Sequence, residues 1–359
     1  MTSESANAAR EITDMRLYLL DHTYAWWGRL AGFSALRPSL ALRGCTATTV
    51  RPRKHFAARI AGKAYSTWNG IGRADQKMAA AEFEFLLRLM MSRLKGHVLY
   101  IEDHLTLLEK QHALDRWVGT INLPLRSWKP EKIELLRRAQ SAIVLCEEHR
   151  DEFSGFIPKE KIYAVHHGVD TSFYSQAPLE SSTRPHLIYV GAWLRNTRMF
   201  ARLVPRIVER HPGVVFDCVV PEFARRNAAF APLLNHPSVK WHQGLSDEGL
   251  RGIYRGATAM LMPMEDSGAN NAILEALASG VPVVTTDTGG IRSYGGGSIY
   301  PVVRNNDDDA CMELVERYLT DEEHRRKVGS ACRDYAVSQL DWKVVAREFV
   351  AAYQKLGIV

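Results

Sequence analysis

The chain has 359 residues, which is long for a single hydrophobic core and natural for two domains. Hydrophobic residues make up 46% and charged residues 24%, as in ordinary globular proteins, and no apolar run approaches the roughly 18 residues that span a bilayer. The polar N-terminus lacks the apolar core of a signal peptide, and the five cysteines form no CxxC pair. We therefore expect a cytoplasmic protein without a disulfide framework or a zinc site.

The net charge of +6 is unevenly distributed along the chain. Residues 22–74 contain no Asp or Glu but nine Lys and Arg, with seven aromatic residues between them. Such a segment attracts polyanions. It is consistent with a solvated basic face, or with an anionic membrane surface or lipid-phosphate acceptor bound through residues 29–73. No zinc-finger or aromatic RNA-binding motif supports nucleic acid, and we expect no nucleic acid partner.

The first half of the chain alternates between apolar runs and segments of helical spacing. The predicted strands are residues 15–22, 97–103, 117–124, 141–147 and 161–168. The predicted helices are residues 75–94, 104–116, 130–139 and 149–156. This alternation predicts a parallel sheet with helices on both faces.

A polar segment with two prolines, residues 172–185, interrupts the alternation, and we place the domain linker there. We predict an N-terminal domain over 1–176 and a C-terminal domain over 184–341. The second domain alternates in the same way, although one helix is expected to be interrupted near Pro205. Its predicted strands are residues 186–193, 214–220, 239–244, 257–264 and 281–286.

The most informative segment is 261–290, which reads as strand, loop, helix and strand. The helix begins near Asn270, and the first N–H groups of a helix, together with its dipole, form a favourable position for a diphosphate or a sugar oxygen. Gly268 and Ala269 are small enough for a ligand to approach the backbone. Glu275 follows about one and a half turns into the helix, where a carboxylate can accept two ribose hydroxyls.

Several stretches of the chain resemble one family in order and spacing. They are residues 117–128, 141–174, 187–198 and 240–290. The pattern is similar to GT-B glycosyltransferases and, within them, to the large retaining family GT4, also called glycosyltransferase group 1. The resemblance covers about 140–357, whereas the basic segment matches no family that we can name.

The resemblance implies an α/β GT-B fold, in which two Rossmann-like, doubly wound parallel-sheet domains face a central cleft. The first domain is implied to bind the acceptor and the second a nucleotide sugar, with the C-terminal helix 342–359 packed back on the first. The implied reaction is retaining transfer to a glycan, lipid-linked or phosphorylated acceptor, in bacterial cell-surface polysaccharide or glycolipid synthesis. We expect no cofactor, and no metal ion, because Asp307, Asp308 and Asp309 read as a helix start.

The resemblance also assigns roles around the helix. Glu275 matches the second Glu of an E-x7-E pair, which is implied to bind the ribose. Ser267 stands where the first Glu is expected, so either Asp266 or Glu265 replaces that carboxylate, or the backbone and nearby amides do. The other implied donor-binding residues of this loop are Gly268, Ala269, Asn270, Asn271 and Ala272.

Further residues are implied elsewhere in the chain. Arg195 and Arg198 follow the "YVG" strand, where the family uses basic groups against the leaving diphosphate. Asn122 occupies the position of a substrate-binding His. The remaining candidates are Gly28 facing the diphosphate, Gly244 and Leu245 beside the base, and Trp26, Trp27 and His104 on the acceptor side.

Two rival functions remain open at this point. A GT-B sugar-nucleotide epimerase would share the fold and the donor site. A non-catalytic nucleotide-sugar binding protein would bind the donor without turning it over. A dinucleotide-dependent dehydrogenase is disfavoured, because no GxGxxG follows the first strand.

Overall fold

The computed structural model describes residues 15–22, 28–52, 56–70, 76–176 and 184–359. The chain forms two compact units. The N-terminal unit combines Met1–Tyr24, Phe33–Val165 and Val345–Val359, and the C-terminal unit combines Ala25–Gly32 and His166–Val344. Trp26 and Trp27 lie outside the described residues.

The described part of the N-terminal unit contains a six-stranded parallel sheet in the order β2, β1, β3, β4, β5, β6. The strands are β1 (Met15–Leu20), β2 (Cys45–Val50), β3 (Lys95–Val98), β4 (Trp117–Ile121), β5 (Ala142–Val144) and β6 (Ile162–Ala164). The helices are α1 (Leu36–Ala41), α2 (Phe56–Asn69), α3 (Gln76–Met91), α4 (Leu105–Glu109), α5 (Pro130–Ile133) and α6 (Glu147–Phe153). Strand β2, inside the basic segment, was not predicted.

The C-terminal helix α12 (Trp342–Lys355) begins in one unit and continues in the other. Its later part is joined to the N-terminal sheet through His97 of β3. The ring of His97 is hydrogen-bonded to Tyr353 through Nδ1, at 2.8 Å, and to Thr120 of β4 through Nε2, at 2.6 Å. Complete burial lowers the pKa of His97 to about 3, so the imidazole is neutral at physiological pH.

The described part of the C-terminal unit contains a second six-stranded parallel sheet, ordered β12, β11, β10, β7, β8, β9. The strands are β7 (His186–Val190), β8 (Val215–Val219), β9 (Val239–His242), β10 (Ala259–Leu261), β11 (Val283–Thr286) and β12 (Val302–Val303). The helices are α7 (Thr197–Arg210), α8 (Asp247–Gly256), α9 (Asn271–Ala278), α10 (Asp308–Thr320) and α11 (Glu322–Tyr335). Helix α7 continues through Pro205, so the predicted interruption there was wrong.

The order of the second sheet contains a switch point. Strands β7, β8 and β9 run outward in one direction, and β10 then pairs with the other side of β7, with Met260 opposite Ile188. The loops that leave β7 and β10 therefore start side by side. In doubly wound sheets this is the place where ligands bind.

Candidate active site

The loops after β7 and β10 are bonded to each other at the switch point. Arg195 and Met264 form an isolated β-bridge. The N–H of Asn196 donates to the carbonyl of Pro263 at 2.8 Å, and the N–H of Glu265 donates to Leu194 at 2.9 Å. These backbone bonds fix one loop against the other, so residues from two distant sequence segments share one site.

Asn270 connects the two loops to the start of helix α9. Its side-chain oxygen accepts from the N–H of Ile273 at 3.3 Å, which makes Asn270 the N-cap. The same oxygen accepts from the Nη2 of Arg195, also at 3.3 Å. The positive end of the helix and a guanidinium thus lie together, an arrangement that favours an anion.

Neutral groups hold Arg195 in place. Its Nε and Nη2 donate to the carbonyl of Val190 at 3.1 and 3.0 Å, and its Nη1 donates to the carbonyl of Trp193 at 2.8 Å. Carbonyl oxygens orient a guanidinium without cancelling its charge. The side chain therefore both shapes the loop and leaves positive potential beside the helix start.

Glu275 is a carboxylic acid inside a helix whose residues from Ala272 to Ala278 are all buried. The Tyr254 hydroxyl donates to its Oε2 at 2.8 Å, and the Tyr174 hydroxyl also hydrogen-bonds to it. Burial raises the pKa of Glu275 to about 7, while the two tyrosine hydrogen bonds and the charge of Arg195 act in the opposite direction. The carboxyl group therefore titrates near neutral pH.

Sequence reasoning missed Tyr174 and Tyr254. Their rings are 5.8 Å apart and perpendicular, and burial, followed by the charge of Glu275, raises the pKa of both phenols. Tyr254 belongs to α8, and Tyr174 lies after the turn that begins at Asp170. Both tyrosines fall within stretches that carry the family resemblance, but no spacing rule connects them to Glu275.

The loop position that lacks the expected carboxylate is occupied by internal hydrogen bonds. The Ser267 hydroxyl is buried and donates to the carbonyl of Gly268 at 2.8 Å. The Asp266 carboxylate accepts from the N–H of Ser267 at 2.8 Å, and Glu265 is exposed. Of the two acids, Asp266 thus supports the loop, and its predicted role toward the sugar remains a prediction.

The loop after β11 packs against the backbone at Ser267. The N–H of Gly290 donates to the carbonyl of Ser267 at 2.7 Å. Gly289 has φ +51°, and a Cβ there would lie 2.2 Å from the Ser267 carbonyl oxygen. Only glycine fits this approach without a backbone shift.

The other predicted donor-side residues lie at different depths. Gly268 and Ala272 are buried, and Ala269 and Asn271 are half-buried. Arg198, in the first turn of α7, is exposed. Gly244 and Leu245 form an exposed turn after β9, in which Gly244 has φ +62°.

Gly28 belongs to the short segment that groups with the C-terminal unit, where it lies against the start of α8. A Cβ on Gly28 would lie 2.1 Å from an Asp247 carboxylate oxygen. The N–H of the next residue, Arg29, donates to the other oxygen of Asp247 at 3.2 Å. Since the charge of Asp247 also raises the pKa of Glu275, this contact lies in the electrostatic neighbourhood of the site.

The predicted residues of the N-terminal unit are tied into its own sheet edge. The Asn122 side-chain amide donates to the carbonyl of Leu99 at 2.9 Å, and its backbone N–H lies 3.5 Å from the Glu102 carboxylate, whose pKa burial raises to about 8. His104 is buried, with its Nδ1 2.9 Å from the Glu82 carboxylate. These contacts position both residues within their unit, and their roles toward an acceptor remain predictions.

In the part of the chain that the structure describes, no three His, Cys, Asp or Glu side chains are grouped so as to hold a metal ion. Over the same residues, every helix is too short or too polar to cross a membrane.

Comparison with known proteins addresses this site directly. Residues 184–321, which contain both loops and α9, match the family model described as Glycosyl transferases group 1. A curated relative is MMP alpha-(1->4)-mannosyltransferase of Mycolicibacterium hassiacum, 26% identical over 248 residues. That match covers 67% of this chain and 58% of the relative, so the chain spans less than two thirds of the relative's length.

Solved structures extend the likeness to the fold of both units. Sucrose-phosphate synthase from Thermosynechococcus elongatus has a TM-score of 0.73 at 14% identity, covering 96% of this chain and 99% of that one. Anabaena HepE in complex with UDP and glucose has a TM-score of 0.71 at 13% identity, covering 95% and 99%. The predicted GT-B fold, with two parallel-sheet domains, is confirmed.

Proposed function

We propose that this chain is a retaining glycosyltransferase that moves a sugar from a nucleoside-diphosphate sugar to a glycan, lipid-linked or phosphorylated acceptor. The observation that carries the proposal is the group of Glu275, Asn270 and Arg195 at the switch point of a sheet whose residues match the group 1 family model. A carboxylate for ribose hydroxyls and a positive helix start for phosphates are the two halves of a nucleotide site.

The reaction that we propose needs no protein nucleophile. The bond between the sugar and the diphosphate breaks, and the leaving phosphate carries the electron pair away. The acceptor oxygen attacks the same face of the sugar and passes its proton to that phosphate. The start of α9 and Arg195 stabilise the charge on the diphosphate, which lowers the barrier. We propose that no cofactor or metal ion takes part.

For the acceptor, we propose the N-terminal unit. Residues 29–73 are basic and aromatic, which suits a phosphorylated or lipid-linked acceptor and attraction to an anionic membrane surface. The relatives support a role in bacterial glycan synthesis, since one is named a mannosyltransferase and comes from a bacterium. We propose a cytoplasmic enzyme that works on the inner face of the membrane.

The test is nucleotide release from a panel of nucleoside-diphosphate sugars, with and without acceptor extracts. We expect release with one donor, unchanged by EDTA and abolished in Glu275→Ala. Loss of turnover in EDTA that Mg²⁺ or Mn²⁺ restores would contradict metal independence. Deuterium entering the sugar without transfer would indicate an epimerase, and donor-induced stabilisation without any turnover would indicate a binding protein.

A further inference from the structure

Two helices of the N-terminal unit, α2 and α3, expose large apolar side chains. On most surface helices the outward face is polar. Here seven bulky apolar residues are between 38% and 78% exposed. They are Phe56, Ile60 and Trp68 of α2, and Phe83, Leu87, Met90 and Met91 of α3, and we name them the α2–α3 face.

The spacing of these residues makes them stripes rather than scattered exceptions. On α3 the intervals are four, three and one residues, which keeps the side chains on one side of the helix. The other side of α3 contributes Phe85 and Leu89 to the core. The helix is therefore apolar on two sides, one packed and one exposed.

The two stripes are neighbours. Helix α2 ends at Asn69 and α3 begins at Gln76, and a connection this short joins antiparallel helices. The ring of Tyr65 in α2 lies 5.9 Å from that of Phe83 in α3. Counting along antiparallel helices from this contact brings Leu87 to about the level of Ile60. The exposed residues thus form one continuous face.

The charge next to this face is positive. Arg59 and Lys63 on α2 are exposed, and their side chains have no ion-pair partner among the residues described. The described acids of the two helices are already engaged. Glu82 is buried against His104, and Glu84 is bonded to Arg88.

We infer that the α2–α3 face docks on an anionic lipid bilayer, with its apolar side chains at the acyl boundary and Arg59 and Lys63 among the phosphate headgroups. A second copy of the chain would bring two faces of like charge together, whereas an anionic bilayer accommodates both the apolar stripe and the cations. The proposed function attributes attraction to a membrane to residues 29–73 as a whole. This inference assigns that attraction to one face, and it includes helix α3, which the charge pattern of the sequence does not indicate. It rests on that part of the proposed function but is independent of sugar transfer.

The test is flotation of the full chain with vesicles of phosphatidylcholine alone or with added phosphatidylglycerol. We expect salt-sensitive binding to the anionic vesicles only.

The Arg59→Glu/Lys63→Glu variant should weaken this binding by about thirtyfold or more, since each basic residue near such a surface contributes roughly fivefold. Leu87→Ser/Met90→Ser/Met91→Ser should weaken it by about tenfold or more. The matched controls are Phe223→Ser/Leu234→Ser and Lys327→Glu, exposed positions of the C-terminal unit that should not change binding.

A label can show which face inserts. The five cysteines are free and buried, so a cysteine introduced at Met90 can be labelled selectively with an environment-sensitive dye. Its emission should shift to the blue on anionic vesicles, and a label at Phe223 should not respond. Absence of vesicle binding, equal loss in the control variants, or self-association that the Leu87, Met90 and Met91 changes abolish would each overturn the inference. Donor affinity should be unchanged in all these variants, so failure here is distinct from failure of the proposed transferase.

Discussion

The carboxyl edges of the two sheets share a topology but differ in chemistry. In the N-terminal sheet the switch point lies between β1 and β3, and three acids there lie beside basic side chains. His22 lies 3.2 Å from Asp103, His104 lies 2.9 Å from Glu82, and Asp21 is bonded to Arg51. In the C-terminal sheet, Arg195 and the helix start are oriented by neutral groups, and the buried carboxyl of Glu275 faces two tyrosines.

This difference shows how one topology supports two kinds of site. At the N-terminal edge an acid lies beside each of these basic side chains, so this edge is poorly suited to an anion. Positive groups held by carbonyl and amide oxygens keep their field, so the C-terminal edge is suited to a diphosphate. The comparison predicts that changes to the polar groups of the C-terminal edge alter donor binding as well as stability, and that changes at the N-terminal edge alter stability alone.

The largest effect is expected from Gly289→Ala. The new methyl group would meet the Ser267 carbonyl, and φ +51° is unfavourable for alanine, so we expect a loss of about 2–4 kcal/mol of unfolding free energy. Denaturant unfolding measures it. Gly213→Ala is the matched control, because nothing lies within 4 Å of its Cβ. Equal stability of the two variants would contradict the close approach of these loops.

Tyr254→Phe comes next. It removes a 2.8 Å hydrogen bond to a buried carboxyl, which should cost about 1–3 kcal/mol of stability and raise the pKa of Glu275 further. Nucleotide affinity at neutral pH, measured by calorimetry, should fall several-fold. The control is Tyr318→Phe, whose hydroxyl is buried without a hydrogen-bond partner in the described structure and should be near neutral. Unchanged affinity in Tyr254→Phe would count against its positioning role.

The smallest effect is expected from a change at the N-terminal edge. Glu82→Gln weakens the bond to His104 in the N-terminal edge and should cost about 1–2 kcal/mol of unfolding free energy. The affinity of the Glu82→Gln protein for a nucleoside diphosphate should equal that of the wild type. A clear loss of donor affinity would mean that the paired edge takes part in donor binding.

Some parts of the site were predictable from sequence because their signals are local. The segment 261–290 combines apolar runs with Gly280 and Pro282 as a helix stop, and the structure has strand, loop, helix and strand there, with Asn270 as N-cap. The position of Glu275 in its helix follows from the same counting. The sequence also shows that Ser267 stands where a Glu is expected. It does not show that the Ser267 hydroxyl is buried and hydrogen-bonded.

The rest depends on contacts that sequence spacing does not contain. Tyr174 and Tyr254 reach Glu275 from segments about 100 and 21 residues away in sequence, through tertiary packing alone. Strand β2 was missed because the basic and aromatic pattern of its surroundings indicated a surface, whereas its alternating residues are buried beside β1. The α2–α3 face depends on which side of each helix is left exposed, which composition cannot show.

The most direct test of the donor site is the nucleotide affinity of the wild type and Glu275→Gln across neutral pH. Because the folded pKa of Glu275 is about 7, its carboxylate form, which accepts ribose hydroxyls, becomes dominant as pH rises. Wild-type affinity should therefore increase by up to about tenfold per pH unit below that pKa, relative to Glu275→Gln, and level off above it. The same pH dependence and the same affinity in both proteins would contradict the role assigned to Glu275.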